Sequence, residues 1–149
     1  MSKKIENKGE VLAWSMYDFA NQPFTNLVVT FVYGTFFTTV IAANEIVGTQ
    51  QWSHAVSITA IIVALLSPLM GSLADKGGYR KMFMLGFTWL TICATTVLYF
   101  VLPGEVLPAL FWFVIANIGF EMGSVFCNAY LPDISHSKNI GRISGYGWS

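Results

Sequence analysis

Four long apolar runs, separated by short polar stretches, constrain this chain more than any other feature of its sequence. We predict that they cover about residues 14–43, 54–73, 82–102 and 108–131. Each run reaches the roughly 20 residues that a helix needs to cross the hydrocarbon core of a bilayer. The composition, with 54% hydrophobic and 11% charged residues, is far from that of an average soluble domain. The sequence therefore predicts an all-α, polytopic membrane helix bundle that sits in a lipid bilayer.

Basic residues are distributed asymmetrically around these runs. All eight Lys and Arg residues lie before the first run, between the second and third, or after the fourth. By the positive-inside rule these three segments are cytoplasmic, and Trp14 and Tyr17 then open the first run at the headgroup level. We expect a protein of the bacterial cytoplasmic membrane with a cytoplasmic N-terminus. A formal net charge of zero gives no reason to expect a nucleic-acid partner.

Polar residues recur along the fourth run at helical spacing. Asn117, Glu121, Ser124 and Asn128 follow one another at intervals that place them on one face of a helix. Glu121 lies roughly 20 Å from the start of the run at the rise of an α-helix. Burying an acid at that depth costs at least ~2.5 kcal/mol. Either a substrate, ion or proton site offsets this cost, or Glu121 is a neutral, hydrogen-bonded packing residue.

The first run carries a similar polar face, formed by Asp18, Asn21, Gln22 and Thr25. Asp18 is near the cytoplasmic boundary, so it is either part of a pathway or an acid at the membrane interface. Pro23 interrupts backbone hydrogen bonding, which can kink a membrane helix or expose carbonyl groups. Our candidate residues for a substrate or ion pathway are Asp18, Asn21, Asn117, Glu121 and Asn128.

The sequence shows no signature of an enzyme. Cys93 and Cys127 both lie within apolar runs and have no histidine at metal-ligand spacing. No nucleophile and base pair, metal cluster or phosphate-binding loop is visible. We therefore predict no catalytic activity, no metal and no cofactor.

A polar, glycine-bearing hairpin connects the second and third runs over residues 74–81. Gly77 and Gly78 can take positive φ, so the chain can reverse within a few residues. The missing side chain of Gly71 would allow close helix contact. Arg80 would stay at the lipid headgroups. On these residues alone, a plain cytoplasmic hairpin that only sets orientation remains an alternative.

This hairpin resembles the loop between the second and third helices of the major facilitator superfamily of transporters. The usual pattern there is Gly-x-x-x-Asp-Arg/Lys-x-Gly-Arg-Arg/Lys. The residues that fit it are Gly71, Asp75, Lys76, Gly78 and Arg80, whereas Tyr79 replaces a commoner basic residue. In the superfamily these acidic and basic groups latch cytoplasmic helix ends in one conformation. The resemblance thus implies a conformational latch formed by Gly71, Asp75, Gly78 and Arg80.

Two further stretches are similar to the vacuole effluxer-like branch of that superfamily, also called the unknown major facilitator family. Residues 17–24 (Tyr-Asp-Phe-Ala-Asn-Gln-Pro-Phe) resemble its opening, with Gln22 in place of Ser. Residues 126–132 and 142–148 resemble the end of its fourth helix and the start of its fifth, with Cys127 in place of a commoner Tyr. The three motifs follow one another in family order along the chain.

The resemblance implies a twelve-helix transporter that moves a small solute by alternating access. Residues 1–149 would then be a partial N-terminal half, with the start of a fifth helix in residues 132–149 and the C-terminal helices missing. Amino acid efflux and proton coupling are the finer expectations for substrate and driving ion. The alternative is a small four-helix membrane scaffold or subunit without transport activity.

Overall fold

The computed structural model describes residues 8–130, apart from the side chains of residues 8 and 74–77. Within that range the secondary structure is helical, and four helices are long and apolar enough to cross a membrane. These four spans are Gly9–Ile41, Glu45–Leu73, Arg80–Leu98 and Val106–Ala129. The predicted all-α bundle of four membrane helices is therefore confirmed. The expected start of a fifth helix, at 132–149, lies outside the described residues.

The first span changes its helical geometry along its length. It is an α-helix over Lys8–Pro23 and a π-helix over Phe24–Phe31, then a short α-helical turn and a second π-helix over Phe37–Ile41. The wider turns begin directly after Pro23, whose ring disfavours regular α-helical bonding. At their end the Val32 N–H bonds the carbonyl of Leu27 at 3.0 Å, five residues back. The disturbance predicted at Pro23 is thus a change of helical pitch.

The second helix covers Glu45–Gly77 and begins well before the predicted residue 54. The expected polar connection over 44–53 is therefore wrong. The carboxamide oxygen of Asn44 accepts a hydrogen bond of 2.9 Å from the Val47 N–H, as an N-cap does. The Thr49 and Ser53 hydroxyls bond carbonyls of their own helix at 2.8 Å. The Thr49 and Ser53 hydroxyls are thus satisfied within the helix and do not end it.

The hairpin between the second and third spans is tighter than the predicted 74–81. The second helix continues to Gly77, and the third begins at Arg80. Only Gly78 and Tyr79 lie between them, and Gly78 has a φ of +66°. Of the two glycines expected to supply positive φ, Gly78 alone does so, while Gly77 is the last helical residue.

The third helix ends at Leu98 rather than near residue 102. The chain then reverses through Gly104, whose φ is +91°. The Glu105 carboxylate closes this turn by accepting a 2.9 Å hydrogen bond from the Leu102 N–H. The fourth helix, Val106–Ala129, is displaced slightly toward the N-terminus from the predicted 108–131. Pro108 falls within its first turn, where a missing N–H costs little.

The fourth span is the centre of the bundle and contacts each of the other three. The Trp52 ring of the second span lies 3.9 Å from that of Phe113, measured between centroids. On the third span, the rings of Phe83 and Phe126 stack at 5.5 Å. Gly119 allows the third and fourth spans to approach closely, because a Cβ there would lie 3.0 Å from the Phe87 carbonyl oxygen. The fourth span therefore holds more of the described buried side chains than any other span.

Large apolar side chains cover the outside of the bundle. On the second span, Leu65 and Leu69 are 66% and 62% exposed. On the third, Trp89 is 65% exposed. An apolar surface of this extent is unfavourable in water and suits the hydrocarbon of a bilayer.

Candidate functional site

A cleft of about 310 Å³ lies between the first, third and fourth spans. Its volume falls at the small end of the range seen for ligand pockets. It contains no charged side chain, and its walls combine apolar, aromatic and uncharged polar residues. The lining residues are Tyr17, Ala20, Asn21, Phe24, Thr88, Thr91, Ile92, Gly119 and Phe120.

The hydroxyl groups that line this cleft already make hydrogen bonds to other residues of the bundle. The Tyr17 and Thr88 oxygens are 2.5 Å apart. The Thr88 hydroxyl donates its proton to the Met84 carbonyl at 2.8 Å, so the Tyr17 hydroxyl is the donor to Thr88. The Thr91 hydroxyl lies 2.9 Å from the Phe87 carbonyl and 3.4 Å from that of Ala116. These bonds join the first span to the third and the third to the fourth.

Asn21 is the uncommitted polar group of the cleft. Its carboxamide makes no hydrogen bond with any other residue in the range 8–130. Beside it, the rings of Phe24 and Phe120 stack at a centroid distance of 4.8 Å and an angle of 24°. The cleft therefore presents one free amide next to an aromatic pair.

A second contact fixes the first span against the fourth. The Trp14 indole N–H donates a buried hydrogen bond of 2.8 Å to the Cys127 carbonyl. Trp14 is only 7% exposed, so its side chain packs inside the bundle. One turn further along, the Tyr17 hydroxyl lies 3.3 Å from where a Cβ on Gly123 would be. The missing side chain of Gly123 thus leaves room for the Tyr17 phenol.

The predicted pathway residues are separated by the fold. Asn21 lines the cleft, whereas Asn117 is 5% exposed and lies inside the bundle. Glu121 and Asn128 are exposed, and Asp18 is partly buried. None of the five makes a hydrogen bond or ion pair with another described residue. Among the described helices Glu121 thus lies on the outer surface and is not packed inside the bundle.

The predicted latch residues also differ in their surroundings. The Arg80 side chain donates a hydrogen bond of 3.4 Å from Nη1 to the Ala129 carbonyl oxygen. This bond joins the hairpin to the end of the fourth span. A cation at a helix C-terminus is favourable because of the helix dipole. A Cβ added at Gly71 would meet no atom within 4 Å, so Gly71 makes no close helix contact with the described residues. The side chain of Asp75 lies outside what the structure describes.

Sequence reasoning missed the residues that assemble the cleft. Thr88 and Thr91 belong to no recognised sequence motif. In a hydropathy profile they are only mildly polar residues within an apolar run. The available signal was on the first span, where Tyr17 precedes Asn21 by one helical turn on the same face. Within residues 8–130, no three His, Cys, Asp or Glu side chains come together at metal-binding distance.

Four helices that are long and apolar enough to cross a membrane define part of an integral multi-pass membrane protein. Residues 52–143 match the sequence profile of the family described as "Vacuole effluxer Atg22 like". This match covers more than half of the chain, and the chain belongs to that family. The resemblance inferred from the hairpin and the two flanking motifs is thereby confirmed.

Known relatives agree with this assignment. The chain is 28% identical over 139 residues to the "Uncharacterized MFS-type transporter YxiO" of Bacillus subtilis, covering 91% of this chain and 32% of that protein. It is 35% identical over 79 residues to "Autophagy-related protein 22" of Coccidioides immitis, covering 53% of this chain and 13% of that protein. The chain thus spans a third or less of the relatives it matches. No solved structure matches it.

Proposed function

We propose that this chain supplies the N-terminal helices of a secondary transporter that moves a small solute across a membrane by alternating access. The observation that carries the proposal is the cleft between the first, third and fourth spans, with the unpartnered Asn21 amide on its wall. A scaffold has no need of a free polar group at a cavity inside membrane-crossing helices. Family membership supports the same conclusion.

The exposed face of the fourth span would form another part of the pathway. Glu121 and Asn128 lie on the open surface of the described helices and have no partner there. An acid in the middle of a membrane helix is stabilised by facing a wet cavity or a cation rather than lipid. We therefore place this face toward a central pathway that helices beyond residue 130 would complete.

The charge pattern of the spans favours a cationic partner for the pathway. Asp18 and Glu121 lie within spans, whereas the Lys and Arg residues of the sequence lie at or beyond the span ends. Either a proton or the ammonium group of a substrate would neutralise such a carboxylate. Proton-coupled amino acid efflux is the finer form of the proposal, and it agrees with the effluxer description of the family.

We also propose the bacterial cytoplasmic membrane as the location, with the N-terminus in the cytoplasm. The asymmetry of Lys and Arg residues supports this orientation. A relative from Bacillus subtilis that covers most of this chain supports the bacterial setting.

The test is transport by the full-length protein reconstituted in proteoliposomes, with a panel of labelled amino acids and an imposed proton gradient. Glu121→Gln should lower the transport rate at least tenfold, because it removes the ionisable group from the pathway. Glu45→Gln is the matched control, since Glu45 is exposed at the start of the second helix. Equal transport rates for both variants would rule out the proposed role of Glu121, and no transport by the wild-type protein would instead favour a scaffold.

A further inference from the structure

We propose that the cleft between the first, third and fourth spans binds an uncharged aromatic group that carries one hydrogen-bond donor. In the cell this group would be part of the transported solute, and to that extent the inference rests on the proposed function. Binding itself is a property of the described helices and can be measured on this chain.

The aromatic preference follows from the walls of the cleft. Phe24 and Phe120 form a stacked pair across the first and fourth spans, and both rings line the cavity. Ala20 and Ile92 supply the apolar surface beside them. A planar ring placed there gains offset or edge contacts with the existing pair in addition to apolar burial.

The hydrogen-bond preference follows from which polar atoms are still available. The protons of the Thr88 and Thr91 hydroxyls go to backbone carbonyls, and that of Tyr17 goes to Thr88. The Tyr17 oxygen therefore keeps only its capacity to accept. The Asn21 carboxamide has no described partner and can accept through its oxygen. Asn21 also offers its amide N–H groups as donors, but acceptors are present on both Tyr17 and Asn21, so a ligand that brings a donor has two partners available.

The preference for an uncharged group follows from the absence of charge on the lining. Neither Asp18 nor Glu121 is among the nine residues around the cavity. A charged ligand there would lose its hydration without gaining an ion-pair partner, which is strongly unfavourable. The cleft and the acid-bearing face of the fourth span thus suit different parts of a solute.

The experiment uses residues 1–149 in lipid nanodiscs and three matched probes. Indole is uncharged and has an N–H donor, 1-methylindole lacks the donor, and indole-3-acetate carries a negative charge. Calorimetric titration, with empty nanodiscs subtracted, separates saturable binding from partition into lipid. We expect saturable binding of indole, about three- to tenfold weaker binding of 1-methylindole, as for one lost hydrogen bond, and no saturable binding of indole-3-acetate.

Variants locate the binding to the cleft. Asn21→Leu should weaken indole binding about three- to tenfold. Ala20→Leu should abolish it by filling the cavity. Ala13→Leu, at an exposed position of the same helix outside the cleft, should leave it unchanged. Circular dichroism and thermal unfolding confirm that each variant is folded, and the probe series on the wild-type chain needs no substitution.

Several results would overturn the inference. They are indole uptake that never saturates, equal affinity for indole-3-acetate, and indole binding that is unchanged in both cleft variants. Saturable indole binding by this chain, together with no transport by the full-length protein, would support the inference and overturn the proposed function alone. The two failures are therefore distinguishable.

Discussion

The indole N–H of Trp14 donates a 2.8 Å hydrogen bond to the backbone carbonyl of Cys127, 113 residues later in the chain. The last carbonyls of a helix have no partner within the helix. The Cys127 carbonyl lies at such an end, where it also accepts from the Tyr130 N–H at 3.1 Å. Trp14 thus supplies a donor to the end of the fourth span and fixes the start of the first span beside it.

Replacing Trp14 by Phe should destabilise the protein by at least about 1 kcal/mol, because the phenyl ring lacks the indole N–H donor and fills less of the buried site. Thermal unfolding in detergent would show this as a lower melting temperature. Trp89→Phe is the matched control, since Trp89 is 65% exposed on the third span. Equal melting temperatures for the two variants would contradict a stabilising role for the Trp14 hydrogen bond.

Gly119→Ala should destabilise the contact between the third and fourth spans by about 1–3 kcal/mol through overpacking. The added Cβ would lie 2.6 Å from the Thr91 hydroxyl oxygen and 3.0 Å from the Phe87 carbonyl oxygen. Gly86→Ala, where a Cβ meets nothing within 4 Å, should be neutral or slightly stabilising. The measurement is the free energy of unfolding in mixed micelles, and an unaffected Gly119→Ala variant would refute the predicted close approach.

Thr88→Val should lower stability by about 1–2 kcal/mol, because it leaves the Tyr17 hydroxyl without its acceptor while keeping the side-chain shape. Thr96→Val is the control. Its hydroxyl is exposed and bonds only the Ile92 carbonyl of its own helix. Denaturant unfolding compares the two, and restoration of stability by adding Tyr17→Phe to Thr88→Val would identify the orphaned hydroxyl as the cause.

Cysteine labelling tests the proposed orientation. In a background with Cys93→Ser and Cys127→Ala, a cysteine replacing Tyr79 should react with a membrane-impermeant maleimide only from the cytoplasmic side. A cysteine replacing Leu107 should react only from the opposite side. Tyr79 and Leu107 are exposed at opposite ends of the bundle, after the second span and at the start of the fourth. Reaction of the Tyr79 site in intact cells would reverse the predicted topology.

Arg80→Gln in the full-length protein should lower the transport rate severalfold while leaving membrane insertion unchanged. The substitution removes the charged donor that lies 3.4 Å from the Ala129 carbonyl, and with it the link between the hairpin and the fourth span. Lys81→Gln, at the exposed neighbouring position, serves as the control. Wild-type rates in Arg80→Gln would count against a latch at this residue.

Several residues that stood out in the sequence have surroundings in the tertiary structure that their local pattern did not predict. Gly71 and Gly119 are both small residues on membrane helices, yet only Gly119 lies against a neighbouring backbone. Trp14 has the residue type and position of a headgroup anchor, yet it is buried. These outcomes depend on how helices rotate and cross, and a local pattern contains no information on either.

The sequence by itself predicted the four membrane-crossing helices of residues 8–130, the approximate positions of the turns between them and the family that the chain resembles. Hydropathy and turn preference depend only on residues that are neighbours in the sequence. Both can therefore be evaluated without knowing how the helices pack. Only the tertiary structure decided that Tyr17 meets Thr88, that Asn21 remains free on a cavity wall, and that Glu121 lies on an open face. Those relationships join residues far apart in the chain, and their geometry is set by the contacts of whole helices.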